Sequence, residues 1–496
     1  MALGGLDIGT SGCKCTIMTE EGRTLAVSYR PYAVSRTAGG HEVDADLLWE
    51  AVRAVIQEAA AACREPVEAL CATSFGESCV LLDREGVPLC PIMLYTDPRG
   101  GEESGILNTR MAPERIYRLT GHTASPAYFL PKLMWYSRHQ PEMFAQVTMV
   151  LPVNAYIVYR LCSRASVDYS LAARTMMLDI RRRDWCDEIL AAADISRSIL
   201  PPVVQTGTAV GNLRPELASA LGLSEHTRIV IGCHDQVAAS IGAGAMRAGC
   251  AVNGSGTVEC ITPVFDHVPE SAALRAGGFA IVPTYGELYA TYAYIYTGGA
   301  LLQWCREQFG TALMQQAERE GKSIFTLLDE QVKHEPTGML VLPHFAGAAT
   351  PYMDNDATGA VIGLTVEKNF TDLYQAMMEG ICYESRVCLD MLREAGVMID
   401  TMRATGGGSR SPAWNQMKAD IWDVTLHTLS VKEAGTVGSV MLAGIATGAF
   451  RDLTEAMTIV RTTETFAPAP DAGRYAPFYA RYRRVYSAVQ QIQGTL

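Results

Sequence analysis

Two short stretches with the same pattern, half a chain apart, constrain this sequence most. In the first, the apolar run Leu3 to Ile8 enters Gly9-Thr10-Ser11-Gly12 and returns as Cys13 to Met18. In the second, Cys250 to Asn253 enters Gly254-Ser255-Gly256-Thr257 and returns as Val258 to Ile261. Glycines in such turns let backbone N–H groups approach a phosphate-sized anion. Taken alone, Asp7 and its turn read equally as an Asx-type hairpin or as a carboxylate beside a phosphate nest. The second arrangement would suit a Mg²⁺-nucleotide, since a hard cation takes oxygen ligands. The recurrence favours the nest and predicts two related halves closing on one ligand.

The length agrees with two halves. At 496 residues the chain exceeds the roughly 250–300 residues at which a single core stops growing. The expected domains are 1–246 and 247–496. With 41 basic against 53 acidic residues and no basic run, neither nucleic acid nor an anionic membrane is an expected partner. A small molecule is. No run approaches the ~18 apolar residues that span a bilayer, and the first residues lack a secretory pattern, so a cytoplasmic protein is expected. The fourteen cysteines are scattered without a CxxC pair, which reads as reduced structural thiols, with Cys13 and Cys15 on one buried strand face.

Taken in order, the first half offers a helix capped by Asp44 and running to about Cys63, then a strand at 68–74 leading to Phe75-Gly76-Glu77-Ser78. Further strands are expected at Cys79–Asp83 and Cys90–Tyr95, before Asp97-Pro98-Arg99-Gly100. Glu77, Asp97 and Arg99 fall at strand ends or turns, where they face either a ligand or solvent. Residues 113–200 read as mainly helical, with Trp135 and Tyr156 to Tyr159 in the core and Arg181-Arg182-Arg183 as an exposed charged turn. The strand Arg228 to Ile231 then delivers Asp235 and Gln236 at its end, where side chains line crevices in α/β proteins. A small-residue helix, Val237 to Ala245, follows.

In the second half, apolar spacing predicts a long helix over Thr371–Ala395. A strand at Met402–Thr405 enters Gly406-Gly407-Gly408-Ser409, and Ser411-Pro412 opens the next helix. Three glycines between strand and helix let an adenine or its phosphates lie against backbone. Glu433 to Gly438 opens a helix of small residues, Ser439 to Gly448, suited to close packing on a sheet. Gly321-Lys322-Ser323 imitates a P-loop tail, but Gln316 stands where the motif needs glycine, and Gly242 and Gly244 fail the dinucleotide spacing.

The stretches LDIGTSGCK, CHDQVAASIGAGAMRAG, NGSGT, ATGGGSRSPAWNQMKADIWDV and EAGTVGSVMLAG together resemble the FGGY family of carbohydrate kinases, in order from Leu6 to about Gly448. The resemblance implies an α/β fold of two ribonuclease-H-like domains of the actin and hexokinase type, flanking a cleft for ATP and Mg²⁺. It implies γ-phosphoryl transfer to a sugar or polyol hydroxyl. Asp235 then matches the family's general base and Asp7 the acid that organises Mg²⁺. Gly9, Thr10, Ser11 and Lys14 match the first phosphate loop, Gly256 and Thr257 the second, and Gly407, Gly408 and Asn415 the adenosine motif. Glu77, Gln236, Asp97 and Arg99 fall where relatives hold the acceptor.

Within the family the general pattern is nearer the xylulokinase branch, so the expected acceptor is a ketopentose such as xylulose. Glu77 and Gln236 are more like glycerol kinases, which makes glycerol, another polyol or a sugar acid the alternative. A non-enzymatic alternative is an ATP-gated clamp of the actin type, which would not need an acceptor site at Glu77 and Gln236. The hinge is expected near Gly244 to Gly249, and the resemblance makes a homodimer an expectation.

Overall fold

The computed structural model describes residues 1–37, 39–431 and 433–494. The opening alternation of apolar residues forms a meander: β1 (Ala2–Ile8), β2 (Gly12–Thr19) and β3 (Thr24–Pro31) pair antiparallel. Next, α1 (Ala45–Ala62) crosses to β4 (Val67–Ser74), which lies parallel to β1. Asp44 caps α1, its carboxylate accepting from the Asp46 and Leu47 N–H groups at 2.9 Å. After α2 (Tyr169–Arg174), β5 (Ala209–Asn212) and β6 (Arg228–His234) complete the sheet, in the order β5-β6-β4-β1-β2-β3, with β6 parallel to β4.

The second half repeats this build. α3 (Asp235–Gly242) leads to the hairpin β7 (Cys250–Ser255) and β8 (Glu259–Phe265). The chain continues through β9 (Ile281–Pro283), β10 (Tyr289–Thr291), β11 (Ala293–Ile295) and α4 (Gly299–Phe309) to the long α5 (Phe370–Glu394). It then runs through β12 (Thr401–Thr405), α6 (Pro412–Trp422), β13 (Thr425–Leu429), α7 (Ala434–Thr447) and β14 (Thr462–Phe466). The order β11-β8-β7-β12-β13 has two antiparallel and then two parallel pairings. It matches β3-β2-β1-β4-β6 in the first sheet, so both halves carry the ribonuclease-H-like arrangement.

One helix changes sides. α7 belongs to the second half by sequence, yet it packs on β1 and β4 of the first sheet and crosses α3. Small residues permit the approach. A Cβ at Gly242 would lie 1.8 Å from the Ala434 carbonyl oxygen, and one at Gly438 would lie 2.0 Å from that of Ala238. The core beneath is Leu3, Leu6, Ile8, Leu70, Val440 and Leu442, all buried. Each such side chain contributes about 1.5–3 kcal/mol on leaving water.

Several local readings need amendment. The Arg181–Arg183 triplet is the turn of a small hairpin joining Leu178–Asp179 to Asp184–Trp185. Arg181 and Arg182 are exposed, but Arg183 packs over Tyr169 and Tyr289, each 5.3 Å away, and donates to the Gly286 carbonyl. Its guanidinium is covered by aromatic faces from both halves. Trp135 is half-buried beneath the Arg99 guanidinium, and only Ile92–Met93 of the 90–95 segment pairs as strand. The fourteen cysteines are free thiols. No helix among the described residues is long and apolar enough to cross a membrane.

Candidate active site between the two sheets

Three glycine-bearing loops and one strand end converge where the halves meet. The first hairpin turn is the three residues Gly9-Thr10-Ser11, closed by the Gly9 N–H on the Gly12 carbonyl at 2.9 Å. The Tyr32 hydroxyl donates to the Gly9 carbonyl, and the Tyr32 N–H bonds the Ser11 carbonyl at 3.1 Å, which anchors the loop. Asp7 stands two residues before the turn, next to the first turn of α7, where a Cβ on Gly435 would lie 3.7 Å from its carboxylate. Burial pushes the Asp7 carboxyl up to about 6, with Lys14 opposing and Glu433 adding to the rise. Lys14 reaches across the halves to Glu433 at 3.0 Å.

The second turn is Gly256-Thr257-Val258, again three residues, closed by the Gly256 N–H on the Val258 carbonyl at 3.1 Å. Gly256 and Thr257 are exposed. The start of α4 braces the loop, with the Gly299 N–H on the Gly256 carbonyl at 2.8 Å. Beneath the loop lies a buried network. Lys418 on α6 bonds Glu259 at 2.6 Å, Ser255 at 2.8 Å and Asn253 at 2.9 Å, and Asn253 and Ser255 each donate to Glu259 at 2.6 Å. All four residues are at most 1% exposed.

The third loop, Gly406 to Ser409, lies against the second hairpin. A Cβ at Gly408 would meet the Ser255 hydroxyl at 2.3 Å, whereas one at Gly407 would meet nothing within 4 Å. Gly408 is needed for contact, and Gly407 leaves a flat open face. Asn415 is fully buried and supports the loop from behind, its amide donating to the Ser409 carbonyl at 2.8 Å. The exposed hydroxyl and N–H groups of both hairpins, with Gly407's open face, form a donor set suited to a nucleotide. Asp7 fits a magnesium that takes one carboxylate plus phosphate oxygens.

Asp235 begins α3 directly after β6, with 34% of its side chain accessible. Its Oδ1 accepts from the Gln236 N–H at 2.6 Å and lies 3.1 Å from His234 Nε2. His234 Nδ1 is 3.0 Å from the Tyr292 hydroxyl, contributed by the other half. An ionised carboxylate only accepts, so the imidazole proton belongs on Nε2 and Tyr292 donates to Nδ1. Burial holds His234 well below its usual pKa and hence neutral. Burial, and next the Asp7 charge, push the Asp235 carboxyl up to about 7. The His234 N–H bonds the Ser170 hydroxyl at 2.9 Å, and Ser170 is held by Asp168 at 2.7 Å.

The other acceptor-side candidates separate into two groups. Glu77, 8% exposed and at φ 63°, is ion-paired with Arg174 beside His234 and Asp235. Gln236 is half-buried in the first turn of α3. Asp97 and Arg99 instead close on one another. The Asp97 carboxylate accepts from Arg99 Nε at 2.9 Å and the His41 N–H at 2.7 Å, and Arg99 also pairs with Glu42. Sequence reasoning passed over Arg174, His234, Tyr292 and the Lys418 network. His234 was legible in principle, as the residue preceding Asp235, whereas Arg174 and Tyr292 carry no local motif.

Known proteins share this architecture. Residues 2–242 match the N-terminal domain of the FGGY family of carbohydrate kinases, and residues 267–447 match its C-terminal domain. A xylulose kinase of Escherichia coli (strain K12) is 30% identical over 495 residues, covering 97% of this chain and 98% of the relative. A gluconokinase of Bacillus licheniformis is 26% identical, covering 95% of this chain and 92% of the relative. The crystal structure of a xylulose kinase from Rhodospirillum rubrum superposes with a TM-score of 0.90 at 24% identity, covering 99% of each chain. Matched by both domains of the family and by a relative along nearly its whole length, the chain belongs to the FGGY family of carbohydrate kinases, ATP-dependent enzymes that phosphorylate small sugars.

Proposed function

We propose that this kinase transfers the γ-phosphoryl group of ATP to a hydroxyl of a ketopentose such as xylulose, with Asp235 as general base. The observation that carries this reading is the placement of Asp235. One carboxylate oxygen is held by His234 and the Gln236 N–H, and the group is poised at about 7 between the two hairpins. The second oxygen is free to take the acceptor's proton as its oxygen bonds phosphorus and the β–γ bridging oxygen leaves with ADP. The proton then passes to solvent. A base so placed contributes about 10²–10⁴ in rate.

Gly9, Thr10, Ser11 and Lys14 would hold the phosphates from one side, and Gly256 and Thr257 from the other. Gly407 and Gly408 would seat the adenosine, with Asn415 supporting their loop. Asp7 would hold Mg²⁺, which supplies neutralisation of phosphate charge. Glu77 and Gln236 would face the acceptor directly, and Asp97 with Arg99 would brace its wall. The halves 1–246 and 247–496 would close on the ligands about the α3–α7 crossing and the segment Gly244 to Gly249, where both glycines take positive φ. A cytoplasmic homodimer completes the proposal.

The ketopentose is supported by the name of the Escherichia coli relative. Glu77 and Gln236 keep polyols and sugar acids as the second reading, as does the name of the gluconokinase relative. The test is a coupled ADP assay with MgATP and a panel of ketopentoses, aldonates and polyols. Sugar-dependent ADP release is expected, and Asp235→Asn should lower kcat by about 10²–10⁴ with KM little changed. Near-normal turnover in that variant would remove Asp235 from the role. Slow ATP hydrolysis indifferent to every acceptor would favour an actin-like clamp.

A further inference from the structure

Arg174 is the last residue of α2, with 13% of its side chain exposed. Its guanidinium lies between the rings of Tyr128 and Tyr292, at 5.2 and 5.3 Å, and Nη2 pairs with Glu77. The helix that carries it is capped by Asp168, whose carboxylate is bonded by Ser170 and Thr206. A Cβ at position 76 would stand 2.9 Å from His234 Cδ2 and 3.3 Å from Arg174 Cγ, so Gly76 leaves the room these side chains occupy beside Asp235. The neighbouring Glu77 backbone is left-handed, a strain that clusters at ligand clamps.

Two of the guanidinium nitrogens, Nε and Nη1, are buried without a hydrogen-bond partner, and His122 Nε2 and Thr291 Oγ1 are likewise unpartnered. Native proteins rarely leave buried donors unpaired, least of all charged ones. We propose that Arg174 is a specificity-determining residue of the acceptor site, its unpaired N–H groups binding a carbonyl or hydroxyl oxygen of a neutral, oxygen-rich acceptor. Neutrality follows from charge: Glu77 already balances Arg174, and Asp235 stands nearby, so an added carboxylate would meet no spare positive charge. This inference rests on the kinase reading of the cleft and deepens it.

The experiment is a cycle of variant against substrate analogue. Wild type, Arg174→Met and Arg174→Lys are assayed with D-xylulose and with deoxy analogues that each lack one of its oxygens, the 1-hydroxyl, the 2-oxo, the 3-hydroxyl or the 4-hydroxyl. In wild type, loss of the oxygen that meets Arg174 should lower kcat/KM about 10- to 100-fold, the range of a hydrogen bond to a charged group. Arg174→Met should lose a similar factor on D-xylulose yet treat that analogue and the parent alike, with Arg174→Lys in between. If Arg174→Met suffers the same deoxy penalty as wild type, Arg174 does not touch the acceptor. Should Arg174→Met fold poorly, Arg174→Lys and calorimetric titration of wild type with D-xylulose and the analogues carry the same comparison.

Two further arms separate this inference from the functional reading. If wild type ignores D-xylulose and accepts glycerol, the ketopentose reading fails, and the cycle is run with glycerol, propane-1,2-diol and propane-1,3-diol. If wild type prefers D-gluconate over neutral acceptors and Arg174→Met erases that preference, Arg174 reads charge and the neutral class is overturned.

Discussion

The two hairpins have the same loop length and the same place in their sheets, but opposite electrostatic designs. Around the first, Asp7 stands in the cleft with a raised pKa, and Lys14 reaches a half-exposed partner across the halves. Around the second, the charges are sealed inside: Glu259 and Lys418 are paired with each other and with Asn253 and Ser255. One hairpin keeps its charges available to a ligand; the other uses them to fix a loop. The difference teaches that the duplicated backbone supplies two phosphate-sized nests, while the side chains below them divide chemistry from support.

The largest effect should come from the sealed network. Lys418→Met leaves Glu259 buried and unpaired, and breaking a buried pair from one side costs about 3–5 kcal/mol. A large drop in the apparent Tm is expected, measured by thermal unfolding with and without MgATP. A drop no larger than that of a surface variant would dissolve the contrast between the hairpins.

A smaller effect of opposite sign is expected at Asp7. Its folded pKa of about 6 lies above the value of about 3.9 for an unfolded aspartate, with burial as the chief cause. The ionised group therefore disfavours the folded state: its penalty is absent below pH ~4, grows as pH rises, and is complete above pH ~6. Without nucleotide or metal, Asp7→Asn should melt higher than wild type at pH 7.5, by about 1–3 °C, and the two should converge at pH 4. Activity should fall in the same variant. Equal melting at every pH would place Asp7 outside any stability–function conflict.

The smallest effect belongs to Lys14 and Glu433. Glu433 is 59% exposed, and exposed pairs are worth about 0–1 kcal/mol. Lys14→Met should barely move the Tm, while raising KM for MgATP if the lysine turns to phosphate when nucleotide binds. A stability loss comparable to Lys418→Met would make Lys14 a structural tie between the halves instead.

Much of the frame was legible before any coordinates. The meander, the capped α1, the long α5, the Ser411-Pro412 helix start and the paired hairpins all follow from short-range rules of alternation, capping and glycine turns. The strands at the hairpin turns run further than expected, so the second turn is 256–258 and Gly254 and Ser255 lie within a strand. Arg183 was read as surface because its triplet is charged; two tyrosines from separate elements cover it. Asp97 and Arg99 sit in the turns that follow the Ile92–Met93 strand, but a fully buried carboxylate beside a guanidinium pairs with it before it can turn to a ligand.

By itself the sequence determined the duplicated halves, the three glycine loops and the delivery of Asp235 at a strand end. Each is encoded within a dozen or so neighbouring residues, where backbone freedom and period leave few alternatives. Only the tertiary structure decided which distant side chains meet. Tyr292 reaches His234 across 58 residues, Lys418 reaches Glu259 across 159, and Arg174 joins Glu77 from another element. Those encounters depend on how sheets and helices pack, above all on the glycine-lined crossing of α3 and α7, and no local pattern records them.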